Sequence, residues 1–133
     1  MVKTPVLLFF TFLILGFTSY AQDTKLKLIV FEGSDWCSNC IRLEKNVLSK
    51  QNFEAFLSTQ KIDFKRIDFP QRKQLSESDK KRNAEIAEKY NFNGAFPTVL
   101  LINEISNTIF TIPYRNQNSE AFISIIQSKI SLK

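Results

Sequence analysis

The chain of 133 residues contains no histidine and only two cysteines. Structural zinc sites usually take four Cys or His ligands, so two cysteines do not complete one unless carboxylates or a second subunit contribute. A covalent haem site needs a histidine directly after the second cysteine, and Ile41 stands there. The absence of histidine therefore favours a use of the two thiols that needs neither metal nor haem.

The two cysteines, Cys37 and Cys40, are separated by only two residues. Small secreted domains usually contain several disulfides at wide spacing, and the entropy that a disulfide removes from the unfolded chain grows with loop length. A bridge between these two positions closes almost no loop and stabilises little. The spacing instead favours reversible dithiol–disulfide chemistry, which requires no cofactor.

The N-terminal residues have the pattern of a secretory signal peptide. Lys3 supplies an early positive charge, residues 6–17 are mostly apolar, and Ser19 and Ala21 are small. The apolar run is shorter than the roughly 20 residues that span a bilayer, although a retained membrane anchor is the alternative. We predict a signal peptide over 1–21, one domain over 22–133, and a periplasmic or secreted location where disulfides persist.

The pattern of apolar residues predicts the order β-α-β-α-β-β-α. We expect strands over 25–31, 61–69, 97–102 and 108–114, and helices from Cys37 to about residue 48, over 53–58, over 84–90 and over 119–130. The last helix begins with a Ser-then-Glu capping signal at residues 119 and 120.

Cys37 is predicted to lie at the N-terminus of the first helix, directly after the first strand. The unpaired N–H groups and the helix dipole at this position stabilise an anion. They lower the pKa of the thiol, and the thiolate is the species that attacks disulfides. Cys40 lies one turn further along, less exposed, where it can resolve a mixed disulfide.

The chain has a net charge of +5, but its sequence contains no array of interleaved basic and aromatic residues. The cluster Lys80-Lys81-Arg82 stands among acidic residues, which is typical of a solvated helix face. We therefore expect no nucleic-acid partner.

With these motifs in this order, the chain resembles the thioredoxin superfamily, and in particular small exported thioredoxin-like proteins with a GSDWCxxC active site. The resemblance rests on "GSDWCSNC" over 33–40, "DFP" over 68–70, and "YNFNGAFPT" over 90–98 ahead of the strand "VLLI". It implies an α/β thioredoxin fold, with a central mixed four-stranded sheet flanked by helices. It also implies thiol–disulfide oxidoreductase activity, with Cys37 as the nucleophile and Cys40 as the resolving thiol.

The resemblance further implies a cis peptide bond before Pro97, packed against the cysteines. This geometry would leave the backbone of Phe96 free to pair with an extended substrate. A trans proline that begins a strand is the alternative. Exposed apolar surface on Trp36 and Phe96 would suit unfolded or extended proteins. We therefore predict Trp36, Phe96 and Pro97 as substrate-binding residues.

One position departs from the pattern of the superfamily. Many thioredoxins carry a buried aspartate in the first strand, where this chain has Phe31. Glu32 is predicted either to lean toward Cys40 and transfer protons, or to face solvent, and Asp68 is a second proton-transfer candidate. Asp35 is predicted to cap the first helix or to face solvent.

Three functions fit this sequence. The first is an enzyme that exchanges disulfides with protein substrates, acting as a monomer. The second is a dedicated relay that passes electrons from a membrane donor to one partner. The third is a binding protein of the same fold whose thiols are incidental.

We predict that the exported product begins at Gln22, because Ser19 and Ala21 supply the small residues that signal peptidases require. The intact mass of the protein recovered outside the cytoplasm measures its first residue. Replacing Ala21 with a bulky residue should block processing. A full-length, membrane-bound product would contradict the prediction.

Overall fold

The computed structural model describes residues 25–132, so the predicted signal peptide lies outside the described residues. Within this range the chain forms four strands and four α-helices, the first of which continues as a π-helix. In chain order they are β1 (Leu26–Glu32), α1 (Ser38–Leu43) with its π-helical continuation (Glu44–Leu48), α2 (Gln51–Thr59), β2 (Asp63–Asp68), α3 (Glu77–Lys89), β3 (Thr98–Asn103), β4 (Thr108–Thr111) and α4 (Ser119–Ile130).

The strands of residues 25–132 form one mixed sheet in the order β2-β1-β3-β4. β1 runs parallel to β2 and antiparallel to β3, and β4 runs antiparallel to β3. The parallel pair needs a long crossover, which α1 and α2 supply, whereas β3 and β4 are joined by a short turn over 104–107. This architecture confirms the predicted α/β fold, with a mixed four-stranded sheet flanked by helices.

β1 is buried on both faces, as its continuous apolar run predicts. Leu28 and Val30 point to one face, where they join the core beneath α1, α2 and α4, with Leu43, Val47, Phe53, Phe122 and Ile126. On the other face lies a smaller cluster against α3 and the turn after it, formed by Ile29, Phe31, Ile67, Leu100 and Ile102 with Ile86, Ala87, Tyr90, Phe92 and Phe96. The ring of Phe31 stacks on that of Phe92, with 4.4 Å between centroids.

Several element boundaries differ from the prediction. α3 begins at Glu77, well before the predicted 84. β2 begins at Asp63 and not at 61, and β4 ends at Thr111 and not at 114. Pro113 follows closely and has no N–H with which to continue the ladder. The cap of α4 is Asn118, whose side chain accepts the N–H of Ala121, and not Ser119.

None of the helices within residues 25–132 is both long and apolar enough to cross a membrane.

Candidate active site

Cys37 closes the turn that leads from β1 into α1. The N–H groups of Trp36 and Cys37 both donate to the carbonyl of Gly33, at 3.3 and 2.9 Å. Cys37 then takes the position before the first helical residue, with an extended backbone. Its sulfur accepts the N–H of Cys40 at 3.2 Å. The structure therefore places Cys37 at a helix N-terminus, as the sequence predicts.

Cys37 and Cys40 are joined by a disulfide, with their Cα atoms 5.2 Å apart. Both residues are largely buried, but Cys37 is 7% exposed and Cys40 only 1%. The N–H of Gly33 contacts the sulfur of Cys40 at 3.5 Å. Cys37 is thus the more exposed residue of the pair, as attack by Cys37 and resolution by Cys40 require.

Trp36 packs closely against the end of β1. A Cβ atom at position 33 would collide with the indole of Trp36, so this close approach requires glycine. The indole N–H donates to the carbonyl of Phe69 at 2.8 Å. The ring of Trp36 meets that of Phe96 edge-on, with 5.3 Å between centroids. These contacts leave Trp36 half-buried beside the disulfide.

Phe96 and Pro97 lie in the turn that precedes β3. The peptide bond between them is cis. Gly94, two residues earlier, has a φ of 83°, in the left-handed region that favours glycine. The ring of Phe96 also meets that of Phe69 edge-on, at 5.8 Å. The structure thus brings Trp36 and Phe96 into contact, with Pro97 in the same turn, and substrate binding by these residues stays a prediction.

Asp68 ends β2 and binds the turn after β1. Its carboxylate accepts the N–H and the hydroxyl of Ser34 at 2.9 and 2.6 Å, and pairs with Lys73 at 3.2 Å. Partial burial alone would raise the pKa of Asp68, but the contacts with Ser34 and Lys73 outweigh it and lower that pKa. Proton transfer by Asp68 stays a prediction.

Glu32 is only 3% exposed, so the alternative in which it faces solvent is wrong. Its carboxylate accepts Nε and Nη2 of Arg66 at 2.7 and 3.0 Å, and Arg66 also forms an ion pair with Glu44 at 2.8 Å. A buried charge needs such a partner. Glu32 adjoins Gly33, whose N–H contacts Cys40, but its own carboxylate is bound by Arg66. Proton transfer by Glu32 stays a prediction.

Asp35 does not cap α1, because Cys37 occupies that position. The carboxylate of Asp35 instead accepts the backbone N–H groups of Gln71, Arg72 and Lys73, at 2.9, 2.8 and 2.8 Å. Partial removal from water would raise the pKa of Asp35, but the three N–H donors outweigh this effect and lower the pKa. Asp35 thus connects the cysteine turn to the segment after β2.

The contacts of Ser34, Arg66 and Phe69 at this site were not predicted. Only the ion pair of Arg66 has a signal in the sequence. Strand alternation puts Arg66 on the same face as Phe64, and an arginine on a face that packs against the core needs an acidic partner. The bonds from Ser34 to Asp68 and from Trp36 to Phe69 join residues 34 and 33 positions apart. No local sequence pattern reveals contacts of that kind.

Over residues 25–132, no three or more His, Cys, Asp and Glu side chains come together in a group that could hold a metal ion.

The fold and the paired cysteines together define a class of protein. The family model described as a thioredoxin-like domain matches residues 17–127. The chain therefore belongs to the thioredoxin-like domain family, and this membership confirms the resemblance to the thioredoxin superfamily.

Among curated proteins, the chain is similar to the disulfide bond reductase DsbH of Chlamydia pneumoniae, at 27% identity over 112 residues. The match covers 84% of this chain and 66% of the relative, so the chain spans about two thirds of that protein's length. A solved structure of a DsbH oxidoreductase has a TM-score of 0.73 at 26% identity, covering 84% of this chain and 76% of the other.

A thioredoxin from Thermus thermophilus matches with a TM-score of 0.54 at 13% identity, over 80% of this chain and 75% of the other. At that identity the likeness shows the fold alone.

We predict that Asp68→Asn lowers the free energy of unfolding by about 1 kcal/mol at pH 7, because it weakens the hydrogen bonds with Ser34. The pKa of Asp68 is lower in the folded than in the unfolded chain. Its stabilisation is therefore present above about pH 4 and is lost as the pH falls through the folded-state pKa.

Urea denaturation at pH 7 and at pH 3 measures this difference for the oxidised protein. The difference in the free energy of unfolding between the wild type and Asp68→Asn should be smaller at pH 3 than at pH 7. Asp63→Asn is the matched control, since Asp63 is 54% exposed and forms only a 3.8 Å ion pair with Lys65. An equal loss of stability in Asp68→Asn at both pH values would contradict stabilisation by the ionised carboxylate of Asp68.

Proposed function

We propose that this chain is an exported thiol–disulfide oxidoreductase that exchanges disulfides with protein substrates. The observation that carries the proposal is the disulfide between Cys37 and Cys40 at the start of α1, with Cys37 the more exposed. Membership of the thioredoxin-like family and the similarity to DsbH support it. The proposed export rests on the sequence of residues 1–21 alone.

In the reduced protein, Cys37 is the attacking group. The N–H groups at the start of α1, with that of Cys40 among them, favour its thiolate over its thiol. The thiolate attacks one sulfur of a substrate disulfide and forms a new S–S bond with it. The substrate's own S–S bond breaks, and the departing sulfur takes a proton from solvent.

Cys40 completes the exchange. It loses its proton and attacks the sulfur of Cys37, so the mixed disulfide breaks and the second substrate sulfur leaves as a thiol. The Cys37–Cys40 disulfide is then restored. Two electrons and two protons have passed to the substrate, so a dithiol donor must reduce the protein before the next round. A membrane protein that carries such a dithiol is the donor we expect for an exported oxidoreductase.

Trp36, Phe96 and Pro97 are the proposed docking residues. The two aromatic rings contact each other beside the disulfide, and both are only half-buried, so each keeps apolar surface in reach of a substrate. Phe96 and Pro97 lie just ahead of β3, where an extended substrate can pair with the backbone as an added strand. Glu32 is the proposed acceptor for the proton of Cys40, because it adjoins Gly33, whose N–H contacts that sulfur.

We expect the dithiol to act as a reductant, the direction that the name of the Chlamydia relative indicates. Thioredoxin, a reductant, has a potential of about −270 mV, whereas the oxidant DsbA lies near −120 mV. Equilibration of the protein with glutathione or dithiothreitol redox buffers measures the potential of the Cys37–Cys40 pair. A value near that of thioredoxin supports the reductive direction, and a value near that of DsbA contradicts it.

We predict that Cys40→Ser accumulates as mixed disulfides with its substrates, because the covalent intermediate loses its internal resolving thiol. Cys37→Ser, the matched control, should trap far less, because its remaining thiol is buried. Non-reducing electrophoresis of tagged variants from the exporting cell measures the adducts. Many adducts indicate a general oxidoreductase, and one dominant adduct indicates a dedicated relay. A folded Cys40→Ser protein without adducts would contradict both and favour a binding protein with incidental thiols.

A further inference from the structure

Three consecutive residues before Cys37 bind the last residue of β2 or the segment that follows it. Ser34 donates its N–H and its hydroxyl to Asp68, and the indole of Trp36 donates to the carbonyl of Phe69. Asp35 accepts the N–H groups of residues 71–73. We call this set of contacts the clasp, with residues 34–36 on one side and residues 68–73 on the other.

Asp35 accepts three of the six hydrogen bonds that form the clasp. Its two carboxylate oxygens bind three consecutive backbone donors, all within 2.9 Å. Hydrogen bonds to a charged acceptor are shorter and stronger than those between neutral groups. Residues 71–73 are exposed and belong to neither a helix nor a strand. Their backbone N–H groups are therefore bound by this carboxylate and not by the ladder of a helix or a strand.

The clasped segment also reaches the proposed docking residues. The carbonyl of Phe69 accepts the indole N–H of Trp36, and the ring of Phe69 packs edge-on against that of Phe96. Trp36 and Phe96 in turn contact each other. The three aromatic residues thus form one continuous unit, which we call the aromatic rim. The N–H of Phe69 also donates to the carbonyl of Glu32, and its ring stacks on Phe92. A shift of residues 71–73 would therefore loosen Phe69 from one side and weaken its contacts with the other two rings.

We propose that Asp35 is a positioning residue for disulfide exchange, which holds the aromatic rim in the arrangement that protein substrates dock against. This inference rests on the proposed function. Asp35 touches neither the reacting sulfurs nor the substrate, and it acts through the backbone of residues 71–73. Its effect therefore falls on large substrates that need the rim and spares small reagents that reach Cys37 directly.

The main competing explanation is that Asp35 acts through its charge, since it lies only two residues before Cys37. A negative charge near a thiol raises the pKa of that thiol. Both oxygens of the Asp35 carboxylate accept N–H groups of residues 71–73. These bonds to a distant segment favour a positioning role. Asp35→Asn separates the two explanations, because it removes the charge but keeps one oxygen that can accept an N–H.

The experiment compares Asp35→Ala and Asp35→Asn with the wild type, with Asp63→Asn as the matched control at the far end of β2. The first measurement is limited trypsin digestion mapped by mass, because Arg72 and Lys73 lie inside the clasped segment. Cleavage after these two residues should accelerate strongly in Asp35→Ala, less in Asp35→Asn, and not at all in the control.

The second measurement is the reduction of insulin with dithiothreitol as the electron source. Asp35→Ala should lose about tenfold in kcat/KM, mostly through KM, which is less than the roughly hundredfold loss that a misplaced group can cause. The hydrogen bonds of Ser34 and Trp36 remain in this variant and limit the loss in kcat/KM. Asp35→Asn should lie between Asp35→Ala and the wild type.

The third measurement is the alkylation of Cys37 by iodoacetamide as a function of pH. A positioning role leaves the midpoint of the profile at its wild-type value in both variants. An equal shift of the midpoint in both would overturn the proposal in favour of a charge effect. Unchanged trypsin cleavage in Asp35→Ala would overturn it as well, as would an unchanged KM.

Failure of the proposed function gives a different result. A wild-type protein that does not reduce insulin, although Cys37 is alkylated normally, contradicts general oxidoreductase activity. It also overturns the proposed docking of protein substrates on the aromatic rim. The trypsin measurement still tests whether Asp35 holds residues 71–73. If Asp35→Ala does not fold, the same criteria apply to Asp35→Asn.

Discussion

The burial of β1 on both faces determines where the two cysteines lie. β1 is hydrogen-bonded to β2 on one edge and to β3 on the other, and helices cover both of its faces. A shift in register by one residue would exchange the faces of Val30 and Phe31 and disrupt both clusters. The end of β1 is therefore fixed in space, and the turn that delivers Cys37 starts from a fixed point.

Three carboxylates surround this turn, and each has its own partners. Glu32 is paired with Arg66, Asp35 binds the backbone after β2, and Asp68 binds Ser34 and Lys73. Unpaired acidic groups so close to Cys37 would disfavour a thiolate. Arg66 and Lys73 compensate the charges of Glu32 and Asp68, so less negative charge opposes the N–H groups at the start of α1 that favour the thiolate.

The parts of the structure that sequence reasoning predicts are those with a local or periodic cause. The apolar run of β1, the strand after Pro97 and the spacing of the two cysteines each depend on neighbouring residues alone. The contacts of Asp35 could not be predicted in this way. Its partners lie 36 to 38 positions away, and they are backbone N–H groups, which every residue except proline has. The same holds for the burial of Glu32, which depends on Arg66 in another strand. The cap of α4 was misplaced by one residue because Asn118 and Ser119 are both good capping residues.

The missing side chain of Gly33 has a consequence for how this turn can vary among related sequences. The indole of Trp36 occupies the volume that a methyl group at position 33 would need. The two positions therefore share one space, and a larger residue at 33 is compatible only with a smaller or displaced ring at 36. A residue larger than glycine at position 33 should consequently occur only together with a smaller or displaced ring at 36, whereas position 36 can become smaller while glycine stays at 33.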